Sequence, residues 1–363
     1  MARPLKLRID TAALLHNLAT VAEYAPNTPR ICCVKANAYG HGGIEVAQVL
    51  AAGGAEALAV AGLEEALALR KTGIKLPILA LEGPFTAAEL QEMAAQQIWT
   101  VIHSDQQLAW LQKAHPPQPL DIWLKVDTGM HRLGFAPQRL PNIYRQLTPL
   151  PQVARIRLMT HFACASDLAN PFTAEQNARF EQATAGLVAE RSLANSPAII
   201  GWPQTHADWV RPGLMLYGIS PFGQAHPAAA RLKPAMQVDS AVIAVRELQA
   251  GDAVGYNHRW RATTPARIAV VAAGYGDGYP RNTENGTPAL VNGQQAKVVG
   301  RVAMDMLTLD VSGIADVAVG SPVELWGTNL SVNDVAAHSG YSPYELLARI
   351  PARPERSYYA GTP

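Results

Sequence analysis

Cysteine is scarce: Cys32, Cys33 and Cys164 are the three in a chain of 363 residues. Two stand side by side in an apolar run and the number is odd. That argues against a disulfide framework and for reduced, buried thiols. His161 and Cys164 have metal-like spacing, but no second His/Cys pair accompanies them, so no zinc site is expected. Charge of one sign is lacking as well, since the formal net charge is +1. Nothing here invites a nucleic acid or a membrane surface. No run approaches the roughly 20 apolar residues of a membrane span. The segment Met1–Arg8 is broken by charges and has no apolar stretch of the kind a signal peptide needs, so a cytoplasmic protein is expected.

What is present is a well-filled globular composition, 48% hydrophobic and 16% charged, in a chain longer than one core usually serves. Two domains are therefore expected. Asp10 to Tyr24 has apolar residues at helical spacing, with Asp10 as its cap. Apolar strand candidates then begin near Ile31, Ala57, Pro77, Trp99, Asp121, Arg155, Ser192 and Trp209. Helical stretches lie between them, among them Glu64–Thr72, Ala87–Gln96, Gln106–Ala114 and Ala174–Glu190. Eight strands alternating with helices predict an α/β fold, a (β/α)8 TIM-like barrel over residues 9–231. The competing doubly wound sheet lacks its G-x-G-x-x-G after the first strand. From about Gln224–Pro234 the helical spacing fades. Short β-rich runs take over, such as Val238–Val245, Arg267–Ala272, Lys297–Val302 and Val323–Trp326. They predict a mostly antiparallel β domain over residues 232–363, joined by the N-terminal segment 1–8.

A barrel carries its chemistry at the C-terminal ends of its strands. The first predicted strand ends on Lys35, followed by Tyr39, and a cation is costly inside a parallel sheet. The alternative is a lysine that snorkels past the strand end into solvent. The other ends add Lys125, Asp127, Arg132, His161, Ser196 and Arg211, while the second to fourth ends are poor in such groups. So many cations facing one pocket require a bound anion, and a phosphate and a carboxylate are the natural candidates. Ser196 and the turn Arg211–Leu214 offer hydroxyl and backbone donors for a phosphate. A lysine depressed by neighbouring cations would be a nucleophilic amine. This chemistry does not separate a Schiff-base aldolase from a pyridoxal-phosphate enzyme.

The segment VKANAYGHG at Val34–Gly42 resembles the cofactor attachment segment of the alanine racemases, barrel-type pyridoxal-phosphate enzymes. LKVDTGMHRLGF at Leu124–Phe135, THFA at Thr160–Ala163, VRPGLMLYG at Val210–Gly218, AAGYGDGYPR at Ala272–Arg281 and GRVAMDM at Gly300–Met306 resemble the same family, in family order. The resemblance implies a racemase interconverting L-alanine and D-alanine, for the cell wall or in catabolism, with pyridoxal 5'-phosphate as cofactor. Lys35 would hold the cofactor and act as one base. Tyr256, supplied by the partner of a head-to-tail homodimer, would be the other. Tyr39, Ser196, Gly213 and Leu214 would bind the phosphate, Arg211 the pyridine nitrogen with His161 beside it, and Arg132 the phenolic oxygen and the substrate carboxylate. Lys125 matches a lysine that is often carbamylated in the family. Met304 and Asp305 of the second subunit would line the substrate entrance.

Departures from the family pattern are His131 beside Arg132, Asn257-His258 after Tyr256, and a tail in which Ala352 takes the place of a phosphate-binding tyrosine. A racemase of broader range, for instance for serine, is a second reading. A basic amino-acid decarboxylase fits less well, because such enzymes usually place an acid rather than an arginine at the pyridine nitrogen. A non-catalytic carrier of the cofactor leaves the β domain without a role.

Overall fold

A computed structural model describes residues 3–223 and 226–361. Strand β1 (Lys6–Asp10) leads into a helix at Thr11–Tyr24, capped by the Asp10 carboxylate, which accepts from the amides of Ala12 and Ala13. Eight parallel strands follow: β2 (Ile31–Cys33), β3 (Ala57–Val60), β4 (Ile78–Ala80), β5 (Ile98–Ile102), β6 (Leu120–Lys125), β7 (Val153–Met159), β8 (Arg191–Asn195) and β9 (Trp209–Arg211). Each pairs with the next in chain order. The ring closes where Arg30 bridges Val210 and the Cys33 amide donates to the Pro212 carbonyl at 2.9 Å. All eight anticipated strands are therefore present, each within two residues of its expected start. The expected helix at Ala174–Glu190 instead occupies Phe172–Thr184. It stops there because Ala185 leaves helical geometry and Gly186 turns to φ 77°.

The barrel interior is packed. Indole rings of Trp99, Trp123 and Trp209, from strands that are not all neighbours, meet at centroid distances of 5.7 to 6.4 Å. Arg157 lies over Trp99 at 4.2 Å. Ligand space is thus left at the C-terminal ends of the strands.

The remaining strands form a second sheet: β10 (Met236–Leu248), β13 (Ala266–Val271), β14 (Pro288–Val291), β15 (Gln294–Val298), β16 (Leu307–Asp310), β17 (Pro322–Trp326) and β18 (Glu355–Tyr359), with a small hairpin of β11 (Ala253–Val254) and β12 (Trp260–Arg261) beside it. Its pairs are antiparallel except one. β1 lies between β10 and β18, antiparallel to the first and parallel to the second, in the register Lys6↔Glu355 to Asp10↔Tyr359. Leu7 and Ile9 are buried while Lys6 stays exposed, the alternation of a half-covered strand. One continuous buried cluster runs from the barrel into this sheet. A separate small cluster, Val254, Ile268 and Val299, underlies the Tyr256 loop. Among the described residues no helix is long and apolar enough to cross a membrane.

Candidate active site

β2 is buried at every position and gives way to Val34 and Lys35 at the barrel mouth. The chain then does something uncommon for L-residues. Ala36, Asn37, Ala38 and Tyr39 take φ of 51°, 56°, 52° and 51° in succession, a single left-handed helical turn. Each such residue costs about 1–2 kcal/mol relative to the right-handed form. Local bonds hold the turn. The Ala36 amide donates to Glu65 Oε1 at 2.7 Å, and Glu65 Oε2 accepts from the Ala61 amide at 2.8 Å, tying the turn to the end of β3. Asn37 Oδ1 accepts from the Gly43 amide at 2.7 Å. His41, fully buried, sets Nδ1 3.1 and 3.0 Å from the carbonyls of Ala38 and Tyr39. Burial pulls its pKa down to about 4, so the ring is neutral and Nδ1–H donates to both carbonyls.

Lys35 and Tyr39 open onto a cavity of about 930 Å³. Lys125 from β6, Arg132 from the following loop, His161 after β7, Ser196 after β8, and Arg211, Gly213 and Leu214 from β9 and its turn line the same space. Nine of the residues anticipated at the site therefore converge. Tyr256, Met304 and Asp305 do not belong to the lining of their own chain's cavity. Tyr256 is 64% and Met304 53% exposed. Asp305 pairs with Arg353 at 2.6 Å, and its carbonyl accepts from Arg3 at 2.7 Å.

Arg211 is buried and, among the described residues, has no acid paired with it. Its guanidinium donates to Ser192 Oγ at 2.6 Å and to the carbonyls of Thr160 and Leu193 at 2.6 and 3.1 Å. Burial brings its pKa down to about 10, which leaves it protonated at neutral pH. His161 Nδ1 lies 3.4 Å from an Arg211 nitrogen. Burial first, then the nearby cations with Arg211 foremost, hold His161 well below the ordinary histidine value, so it is a neutral acceptor. Lys125 is pulled down to about 8, first by burial and then by Arg211, Arg132 and Lys35. The crowding of like charge expected from the strand ends is thus built into the site.

Ser196 Oγ accepts from the Gly213 amide at 2.9 Å and the Met215 amide at 3.4 Å, lacing the ends of β8 and β9 together. A side chain at Gly213 would place Cβ 2.8 Å from the Tyr39 hydroxyl. Hydroxyl, amides and phenol therefore share one tight corner only because residue 213 has none.

Asp127 serves the loop that presents Arg132. Its Oδ1 accepts from the amides of Gly129 and His131 at 2.9 and 3.0 Å. The His131 side chain is 83% exposed and faces Asp127 at 3.2 Å, outside the cavity lining, so the added titratable group stays out of the site. The tail requires a correction. Ala352 is exposed and away from the cavity, whereas Tyr344 lines it, with its ring 6.0 Å from that of Tyr39. A tyrosine therefore lines the cavity eight residues earlier than the position read from the sequence. The signal was legible: Ser342 and Glu345 form a capping box that starts the helix Pro343–Ala348 and fixes where Tyr344 points. Glu65 was also missed, because its contact to Ala36 depends on a turn that no local pattern announces.

Comparison with known proteins extends these observations. The model described as "Alanine racemase, N-terminal domain" matches residues 9–221, and "Alanine racemase, C-terminal domain" matches 235–358. A curated protein named "Alanine racemase, catabolic" from Pseudomonas putida is 48% identical over 352 residues, 96% of this chain and 98% of that one. The solved biosynthetic alanine racemase from Pseudomonas aeruginosa superposes with a TM-score of 0.96 at 43% identity, covering 99% of this chain and 100% of the other. The alanine racemase from Bartonella henselae, solved with covalently bound pyridoxal phosphate, gives a TM-score of 0.88 at 30% identity, covering 99% and 100%. Matches of this depth run through both the barrel with its lysine-bearing turn and the sheet behind it: the chain belongs to the alanine racemase family.

Proposed function

We propose that this protein interconverts L-alanine and D-alanine with pyridoxal 5'-phosphate, using Lys35 of one subunit and Tyr256 of its partner as bases on opposite faces of the substrate. The observation that carries the reading is one cavity in which an amine, three further basic side chains and a hydroxyl-and-amide corner converge without a matching set of acids. The donor set fits the cofactor. The corner of Tyr39, Ser196, Gly213 and Leu214, joined by Tyr344, suits a phosphate; Arg211 suits a ring nitrogen and Arg132 a phenolic oxygen or a carboxylate. When bound, pyridoxal phosphate supplies the electrophilic carbonyl that captures an amine and the electron sink that acidifies the neighbouring C–H bond.

The chain's own residues do the rest. Arg211 stays protonated and donates, so it orients the ring nitrogen without giving up a proton. That limits how much charge the ring draws and favours return of the proton to the same carbon. Lys35 Nζ removes or delivers that proton on one face, and Tyr256 Oη of the partner subunit does so on the other. The absence of Tyr256 from its own chain's cavity, and its exposure together with Met304, support a head-to-tail homodimer with shared sites. A neutral Lys125 can add carbon dioxide, forming an N–C bond and releasing one proton. The resulting carbamate would give Arg132 an anionic partner, where among the described residues it forms no ion pair with Glu82, Glu345 or any other acid.

Relatives named catabolic and biosynthetic both resemble this chain, and the chemistry runs in either direction, so the reading is of the reaction and not of a route. A chiral assay of the purified, cofactor-loaded protein tests it. D-alanine should form from L-alanine, and the reverse, while Lys35→Ala abolishes turnover and borohydride fixation of the cofactor. Full loading with no D-alanine formed would sink the proposal, and the same assay with serine and longer amino acids reads the breadth.

A further inference from the structure

The left-handed turn after Lys35 is held from outside the barrel. Arg356 Nε donates to the Gly40 carbonyl at 2.9 Å, and Tyr358 Oη donates to the His41 carbonyl at 3.0 Å. Both residues lie on β18 of the second sheet, two apart and so on one side of the strand. Ser357 between them bonds the other way, to the Leu7 carbonyl at 3.4 Å. Arg356 also reaches the carbonyls of Ile350 and Pro351 at 3.2 and 3.1 Å, so one guanidinium joins the turn to the end of the Tyr344 helix. The approach is as close as backbone allows. A Cβ at Gly40 would sit 2.1 Å from the Leu347 carbonyl oxygen, and one at Gly42 would sit 1.8 Å from Tyr358 Oη. Burial and neighbouring Glu45 push the Tyr358 phenol up to about 12, so it remains a donor at physiological pH.

Four successive left-handed residues are uphill by themselves and persist only where their surroundings fix them. Lys35 is the residue immediately before them, and Tyr39 is the last of them. Any relaxation of the turn therefore moves the amine and the phosphate corner relative to each other.

We propose that Arg356 and Tyr358 are positioning residues, and that β18 pins the left-handed turn so as to set where Lys35 stands relative to Tyr39 and how firmly pyridoxal phosphate is kept. The inference rests on Lys35 being the cofactor lysine. Tyr358→Phe removes one hydroxyl and leaves the strand's ring in place, Arg356→Gln removes the guanidinium, and Ser357→Ala is a control on the same strand. Each is stripped of cofactor and titrated with pyridoxal phosphate. Readouts are the absorbance of the lysine-bound form and its pH titration, with Lys35 labelling scored by borohydride reduction and mass analysis.

Tyr358→Phe should bind the cofactor about fivefold more weakly, the size of one net hydrogen bond, and Arg356→Gln about tenfold or more. Both should shift the pH titration of the bound form, while Ser357→Ala matches the wild type. A purely structural role would lower thermal stability and leave affinity and titration of the folded protein unchanged. Wild-type binding and titration in Tyr358→Phe would overturn the proposal, and that variant decides the matter if Arg356→Gln does not fold. Failure of the wild type itself to be labelled at Lys35 would instead refute the functional reading.

Discussion

At Lys125 the site holds an amine with nowhere to place its charge. With its pKa near 8, about a tenth of the free amine is neutral at pH 7, against roughly one part in 3,000 for an unperturbed lysine. That fraction is what can attack the carbon of carbon dioxide, so native mass analysis in bicarbonate should show one added CO2 that Lys125→Met lacks. In bicarbonate-free, cofactor-free protein the same shift acts on stability. The folded value lies below the unfolded one, so the cost of burying the charge is fully present below pH 8. It is relieved as pH rises from about 8 to 10.5, where only the unfolded chain still holds the proton. Urea unfolding across that window should show stability rising by about 3 kcal/mol from this group, and Lys125→Met should remove the rise. A flat difference between the two proteins would show that Lys125 is not an uncompensated buried amine. The strand-end reading anticipated such a lysine from charge crowding alone, because the barrel's geometry dictates which side chains share a mouth.

The turn Ala36–Tyr39 is the element that local reasoning could not supply. Alanine is the best right-handed helix former, so nothing in Ala-Asn-Ala-Tyr announces four positive φ values; only Asn37 tolerates them readily. The barrel strands were legible because buried parallel strands read as unbroken apolar runs. The turn is fixed by Glu65, Leu347 and Tyr358, contacts distant in sequence that no window contains. Gly40 records that dependence. Gly40→Ala combines a φ of 80° with a Cβ 2.1 Å from a backbone oxygen, and should destabilise the protein by about 3 kcal/mol or more in urea unfolding. A loss under about 1 kcal/mol would mean that Leu347 and its helix move aside easily.

For the whole molecule, the arrangement separates two halves of the expected chemistry. Lys35 lies inside the cavity, while Tyr256 stands on a loop over its own small apolar cluster, facing out. The motif resemblance named both residues and implied that Tyr256 comes from a partner subunit; that Tyr256 lies outside its own chain's cavity is a property of the folded surface. Separate pools of Lys35→Ala and Tyr256→Phe, each inactive, should regain activity when subunits are exchanged between them. One of the two sites in each mixed dimer would then combine an intact lysine with an intact tyrosine, so an equal mixture should approach about a quarter of wild-type turnover. No recovery after exchange verified by mass analysis would place both bases in one subunit.

β1 and β18 are neighbours in the sheet although they stand near opposite ends of the chain, in the register Lys6↔Glu355 to Asp10↔Tyr359. During synthesis the eight barrel strands leave the ribosome well before β18, and N-terminal domains generally fold first. For that interval the nascent barrel carries Lys35 next to a turn that lacks the contacts from Arg356 and Tyr358. On the roles proposed for Lys35, Arg356 and Tyr358, the growing chain would be a poor trap for pyridoxal phosphate until translation has delivered β18.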